Sequence, residues 1–131
     1  MYRANDRPPG VCPTCTRGLV RVQHASHWFE HCPRCNGIWL DEVTLTAMWR
    51  EMSAAAPPLS LDDRDAEGAP RPCPTCGDPM ASVSLHAIPV DRCGVDGVWF
   101  DFPELEMALA RAALPEDDWQ RRFARRLQTM R

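Results

Sequence analysis

Apolar residues in this chain come in short bursts broken by cysteine, proline and glycine, and the bursts occur in two similar sets. Leu19 to Val22 and Trp28 to Cys32 read as the two arms of a short hairpin, and Val83 to Leu85 with Ile88 to Cys93 repeat the arrangement. Proline gives no N–H to a ladder, so Pro89 marks its arm as an edge strand. Trp28 and Phe29 are adjacent on one arm and must point to opposite faces, which leaves one of them exposed. A helical pattern follows each hairpin. Asp41 precedes VTLTAMWREM, in which Leu45, Met48, Trp49 and Met52 share a face, and Asp101 precedes FPELEMALARAAL, in which Leu105, Ala108, Leu109 and Ala112 do. Asp101 and Glu104 have the spacing of a capping box, and Pro103 is tolerated in a first turn. Both apolar faces are expected to be core.

The two sets are a repeat at an offset of 61. Cys12-Pro13-Thr14-Cys15 returns as Cys73-Pro74-Thr75-Cys76, and Cys32 returns as Cys93. Trp39 and Asp41 return one residue early, as Trp99 and Asp101, so one residue is missing between Cys93 and Trp99. The expected organisation is a first unit with its helix over 1–53, an Ala/Pro/Asp-rich linker over 54–71, a second unit with its helix over 72–114, and a tail over 115–131. The tail, PEDDWQRRFARRLQTMR, is acidic first and basic later, which suits a helix dipole. On a helix, Trp119, Phe123, Leu127 and Met130 fall within an arc of about 80°, and Arg121, Arg122, Arg125 and Arg126 form a separate face.

At 131 residues, two units this small cannot each bury an adequate apolar core, so something else must help. The chain has seven cysteines and no apolar run that would serve as a signal peptide or membrane span. A soluble, cytoplasmic, reducing setting is therefore expected, in which paired cysteines are metal ligands and not disulfides. The formal charge of −3 argues against a wholesale polyanion binder. Its distribution is uneven: residues 1–56 carry +1, 57–72 −2, 73–114 −4 and 115–131 +2. All fifteen cationic side chains are arginine, a bias that a GC-rich genome explains as well as function does.

The spacing C-x2-C-x16-C-x2-C of Cys12, Cys15, Cys32 and Cys35 brings two close thiolate pairs together as a tetrahedron for Zn²⁺. The second set has Cys73, Cys76 and Cys93 but no fourth cysteine. Counting three residues beyond Cys93 reaches Asp96, whereas counting back from the Gly-x-Trp reaches Val95. His86 and a water are the other candidates for the fourth place. His31 and Arg92, each directly before a cysteine, are expected to shield or hydrogen-bond a thiolate, and His24 and His27 to be exposed on the hairpin. Trp39 and Trp99 are expected to be structural rings covering the metal sites, against the alternative of platforms for stacked bases.

Both halves resemble the TFIIB-type transcription-factor zinc fingers, a zinc-ribbon family, through CPTC followed by CPRCNGIWLD and, divergently, DRCGVDGVWFD. The resemblance covers most of residues 11–52 and 72–110. It implies a small metal-stabilised α+β fold of two tandem zinc ribbons, each a β-hairpin plus short helix, with the C-terminal amphipathic helix added and two Zn²⁺ per chain. Members similar to the second half often carry a shortened Cys-x-x-His-Gly-x-Trp knuckle, which places Asp96 where that histidine would ligate and favours it over Val95. No histidine has the H-x-E context of a zinc deaminase, and no nucleophile triad or phosphate loop is present. The function implied is non-enzymatic: a protein-interaction module linked to transcription. The alternative is a nucleic-acid binder using Arg121, Arg122, Arg125 and Arg126, and a zinc or redox sensor comes third. The stripe of Trp119, Phe123, Leu127 and Met130 would dock on a ribbon or on a second copy of the chain, and no membrane partner is expected.

Overall fold

The structure, a computed structural model, describes residues 8–113; the tail expected as an amphipathic helix over 115–131 lies outside them. Among the described residues seven strands, β1 (Val20–His24), β2 (His27–His31), β3 (Ile38–Leu40), β4 (Leu61–Asp63), β5 (Ala81–Leu85), β6 (Ile88–Cys93) and β7 (Gly97–Phe100), are joined by two helices, α1 (Glu42–Met52) and α2 (Glu104–Ala113). The strands form one antiparallel sheet in the order β1-β2-β3-β7-β6-β5-β4. Each hairpin turns through two residues, with Ala25 (φ 54°), His86 (φ 48°) and Ala87 (φ 71°) in the left-handed region that such tight turns use.

The two repeats meet at the middle of the sheet. β3 of the first pairs with β7 of the second, Ile38 opposite Phe100, Trp39 opposite Trp99 and Leu40 opposite Val98. Successive side chains on a strand alternate faces, so this pairing divides the interior in two. Ile38, Leu40, Val98 and Phe100 face the helices, where Leu45, Trp49, Leu105, Ala108 and Ala112 pack with Val83, Leu85, Ile88 and Val90 of the second hairpin. Trp39 and Trp99 face the other way, into a cluster with Cys12, Cys32, Cys73, Leu19 and Met80. Of the expected helix faces, Leu45, Trp49, Leu105, Ala108 and Ala112 are buried and Met48 and Leu109 pack partly, but Met52 at the end of α1 is 41% exposed. Trp49 reaches the second hairpin, stacks on His86 with centroids 4.7 Å apart, and donates from Nε1 to the Pro57 carbonyl at 2.6 Å.

Three local expectations are refined. Pro89 lies on β6, which has neighbours on both sides, but β7 pairs only with Asp91, Arg92 and Cys93; Pro89 sits beyond its reach, so the missing N–H leaves no ladder bond unmade. The stretch 54–71, expected as a linker, contains β4, which covers the outer edge of β5 with Leu61 opposite Leu85. Arg64 secures it, its backbone N–H on the Ser82 carbonyl at 3.1 Å and its Nε on the Val83 carbonyl at 2.9 Å. Asp41 caps α1 as expected, Oδ1 accepting from the Thr44 N–H at 2.7 Å. At α2 only half of the capping box forms: Glu104 Oε1 accepts from the Asp101 N–H at 2.8 Å, while the Asp101 carboxylate is held by Arg71 and Trp99.

Burial raises the Glu104 carboxyl from 4.5 to about 7, with the Asp101 N–H opposing and the nearby Asp101 and Asp91 charges adding to the rise. A raised folded-state pKa means that this group's contribution to stability is complete below about pH 4.5 and is lost as pH climbs through about 7. Glutamine keeps the acceptor without the charge. Glu104→Gln is therefore expected to gain on wild type by on the order of 1 kcal/mol between about pH 5 and pH 8, a figure discounted because the side chain is half-exposed. Urea melts of both proteins at the two pH values measure it, and a pH-independent difference would contradict it.

Candidate metal centre

Three of the four cysteine knuckles are built alike. In each, a first cysteine N–H bonds a carbonyl five residues on, and its own carbonyl accepts the N–H four residues on: Thr16 to Cys12, Asn36 to Cys32, Gly77 to Cys73. The residue closing each turn has positive φ: 56° at Thr16, 63° at Asn36 and 82° at Gly77. The turns aim backbone N–H groups at sulfur, Cys15 N to Cys12 Sγ at 3.3 Å and Thr75 N to Cys73 Sγ at 3.4 Å, which stabilises thiolate. The fourth knuckle is the short one. Cys93 and Gly97 are paired across β6 and β7, so Gly94, Val95 and Asp96 form the whole turn.

Cys12, Cys15, Cys32 and Cys35 converge in one group and Cys73, Cys76, Cys93 and Asp96 in another, the donor atoms of each lying within 4.8 Å of one another. Four sulfurs about 2.3 Å from a central zinc are about 3.8 Å apart along a tetrahedron's edges. Cys12 Sγ and Cys35 Sγ are 3.7 Å apart. Replacing one sulfur by a carboxylate oxygen at about 2.0–2.2 Å shortens its edges to about 3.6 Å. Asp96 Oδ2 is 3.5 Å from Cys73 Sγ and 3.6 Å from Cys93 Sγ, while Cys76 Sγ and Cys93 Sγ are 4.0 Å apart. Both groups fit zinc, the second through its carboxylate.

The sites differ in shelter. Cys12 and Cys32 are buried and Cys15 and Cys35 half-buried, whereas in the second group Cys73 is buried, Cys93 and Asp96 half-buried and Cys76 exposed. Burial pushes the Cys35 and Cys73 thiols up to about 12. At Cys32 burial also raises the thiol, but the N–H groups of Cys35 and Arg34 outweigh it and bring it to about 7. Metal binding must displace protons from such thiols and is accordingly favoured by rising pH.

The indoles couple the sites crosswise. Trp39, of the first repeat, donates from Nε1 to Thr75 Oγ1 in the second repeat's CPTC knuckle at 3.1 Å. Trp99, of the second repeat, lies on Gly37 of the first repeat's knuckle, so closely that a Cβ there would sit 2.2 Å from its Cζ2. Both are buried, 3% and 0% exposed, as structural rings. The knuckles also touch the opposite repeat directly: the Val11 N–H donates to the Pro74 carbonyl at 3.0 Å, and Arg71 Nη1 donates to Thr14 Oγ1 at 3.0 Å. Arg71 forks onto Asp101 at 2.8 and 2.5 Å and pairs with buried Asp91 at 2.7 Å. The Asp101 hydrogen bond raises Arg71 further above its usual range; burial would raise Asp101, but the bonds from Arg71 and Trp99 hold it below its own.

Other expectations are redirected. His86 stands in the second hairpin's turn, its Nε2 3.1 Å from the Pro58 carbonyl, away from the donor group. His31 Nε2 lies 3.2 Å from Asn36 Oδ1 and Arg92 pairs with Glu42 at 2.5 Å, so neither has its polar partner among the thiols. His27 is half-buried against Glu51 of α1 at 2.8 Å, while His24 is exposed. Trp28 is the exposed one of its pair, 39%, and Phe29 packs against the helix-side core. The crosswise contacts of Gly37, Thr75 and Arg71 were not anticipated; the glycine of Gly-x-Trp was the available signal, since a close approach needs one.

Asp96 can be tested apart from its neighbour Val95, which is 92% exposed. Asp96→Ala is expected to lower zinc affinity at the second site beyond about 100-fold, more than the loss of an outer-shell partner. Native mass spectrometry under chelator competition should then count one zinc per chain, while Asp96→His and Val95→Ala keep two. Two zincs in Asp96→Ala would sink the assignment.

A cleft of about 150 Å³ opens beside Asp96, lined in part by Arg21, Trp28, Thr75 and Val95. It is smaller than the roughly 300–1,000 Å³ of small-molecule sites. Among the described residues no helix is long and apolar enough to cross a membrane. A family model described as transcription factor zinc-finger matches residues 11–50 and again 72–111. No curated protein and no solved structure matches the chain.

Proposed function

We propose, from the premise that this chain belongs to the transcription factor zinc-finger family, that it is a zinc-stapled, non-catalytic module that docks a protein partner. The observation carrying the proposal is that each donor group brings four protein donors together. Four protein ligands make a closed, structural site, whereas catalytic zinc keeps one position for water or substrate. Charge supports a protein over a polyanion as the partner of the repeats themselves, since residues 1–56 carry +1 and 73–114 carry −4. The family's description makes transcription proteins the first to try. Purified polymerase subunits passed over the immobilised zinc-loaded chain are expected to yield one retained at physiological salt and released when zinc is stripped. Retention of no subunit, and no defined cross-link to any protein in cells, would overturn the docking reading.

A second reading rests on Arg121, Arg122, Arg125 and Arg126, the chain's densest cationic run, which would place phosphates against the tail. It requires DNA or RNA retardation that weakens steeply with salt and with those arginines replaced; no retardation at low salt removes it.

A further inference from the structure

We infer that Cys76 is an oxidation site, at which a hydroperoxide converts the second metal centre into a Cys76–Cys93 disulfide and releases its zinc while the first centre keeps its own. The inference goes beyond the docking reading and needs no partner. It rests on the second donor group, Cys73, Cys76, Cys93 and Asp96, holding zinc.

Exposure singles out this sulfur. Of the chain's seven cysteines Cys76 alone is exposed, whereas its counterpart in the first repeat, Cys15, is half-buried. Thr75 and Gly77 beside it are exposed too, as are Gly94 and Val95 of the short knuckle, so both knuckles of this group meet solvent. Cys73 is sheltered: it is buried, and its sulfur accepts the N–H groups of Thr75 at 3.4 Å and of Cys76 at 3.5 Å. A second thiol stands close by. Cys93 Sγ is 4.0 Å from Cys76 Sγ, within reach of a side-chain rotation that closes an S–S bond of about 2.05 Å. An accessible thiolate next to a resolving thiol is the arrangement in which cysteine oxidation is fast and reversible. Charge selects the oxidant. Three thiolates and a carboxylate around Zn²⁺ leave a net negative group, and Asp78 adds an exposed acid to the same knuckle. An anionic oxidant is repelled there, while a hydroperoxide is neutral.

The chemistry balances with hydrogen peroxide as the oxidant. The Cys76 thiolate attacks one peroxide oxygen; an S–O bond forms, the O–O bond breaks, and the departing hydroxide takes up a proton as water. The Cys93 thiolate then attacks the Cys76 sulfur, forming the S–S bond and expelling the sulfenic oxygen as a second hydroxide, which is also protonated. Two thiolates, one peroxide and two protons thus give one disulfide and two waters, the sulfurs losing the electron pair that the peroxide gains. Cys73 and Asp96 remain, two donors where a structural zinc takes four. The disulfide still ties the CPTC knuckle to the end of β6, so the second repeat keeps a staple. Thr75, next to Cys76, accepts from Trp39 Nε1 at 3.1 Å, so the change is felt at the first repeat's indole.

The test treats the zinc-loaded full-length chain with hydrogen peroxide and follows it by a chromogenic zinc chelator, native mass spectrometry and peptide mapping with the remaining thiols blocked. Expected are one zinc released and one kept per chain, a single disulfide joining Cys76 to Cys93, and a shifted Trp39 indole N–H resonance. A dithiol reductant with added zinc should restore both metals. Cys76→His keeps a zinc donor but removes the oxidisable sulfur, and should slow release at least about tenfold. Loss of both zincs together, retention of both in excess peroxide, a disulfide that includes Cys73 or a cysteine of the first group, or release from Cys76→His at the wild-type rate would overturn the inference. If Cys76→His does not take up two zincs, the disulfide mapped in the unaltered chain decides alone. A chain that holds one zinc before any peroxide is added removes the second centre itself, and the inference with it, while leaving the docking reading intact.

Discussion

Cys32→Ser is expected to release both zinc ions and to unfold both repeats in a single transition. Cys32 is fully buried in the cluster that also holds Trp39, Trp99 and Cys73, so ligands of both sites share one interior. Binding of a structural zinc is worth about 10–16 kcal/mol in small zinc-finger peptides, as much as the whole 5–15 kcal/mol stability of an ordinary domain. Serine removes a soft donor and leaves a hydroxyl in a space shaped for a thiolate, which destabilises the first site by a large part of that amount. The loss does not stop at the first repeat. Without its knuckle, Trp99 loses the surface at Gly37, β7 loses β3, and Arg71 loses Thr14. Each is a contact on which the second repeat was folded. Native mass spectrometry should find no variant chain with one zinc, and circular dichroism and tryptophan fluorescence should melt together. A Cys32→Ser chain retaining one zinc and native-like amide shifts over residues 72–113 would refute the coupling.

That coupling explains which features could be read in advance. Cysteine ligands are local: two thiols three residues apart on a turn have one geometry, so Cys12, Cys15, Cys32, Cys35, Cys73 and Cys76 are visible as ligand pairs from spacing alone. Asp96 needed more, because the counts reach either Asp96 or Val95; the structure turns Asp96 to the thiols and Val95 to solvent. The helices announce themselves through Asp41 and the spacing of Leu45 and Trp49. What left no trace is backbone pairing between distant strands. β3 and β4 have three residues each, too few to show a period, and the join of Trp39 to Trp99 spans sixty positions of chain. The sequence treats the repeats as similar, yet nothing in similarity says that each covers the other's metal. The charged neighbours were misplaced for a related reason. His31 and Arg92 adjoin cysteines in sequence, but on a strand adjacent side chains face opposite sides, and they find Asn36 and Glu42 instead.

The crosswise packing also yields a prediction whose sign depends on the partner repeat. Gly37→Ala adds one methyl to the first repeat, and that methyl would lie 2.2 Å from Cζ2 and 2.6 Å from Cη2 of Trp99. No side chain keeps such distances, so either the indole or the knuckle must move. The indole is fully buried and its Nε1 is held by Asp101 Oδ1 at 3.0 Å, and the knuckle is fixed by its two zinc ligands, Cys32 and Cys35. The cost should be at or above the upper end of ordinary overpacking, about 3 kcal/mol. Trp99→Leu alone should cost about 3–5 kcal/mol as a cavity. If the clash is with this ring, the alanine becomes nearly harmless once the ring is gone. The double variant Gly37→Ala/Trp99→Leu should then be no less stable than Trp99→Leu, giving a coupling of about 3 kcal/mol across the two repeats, far above the few tenths seen between independent sites. Zinc-saturated chemical denaturation of the four proteins measures it. Additive costs would mean that Gly37 is required by its own turn and not by the tryptophan of the other repeat, and the reciprocal covering of the metal sites would lose its energetic meaning.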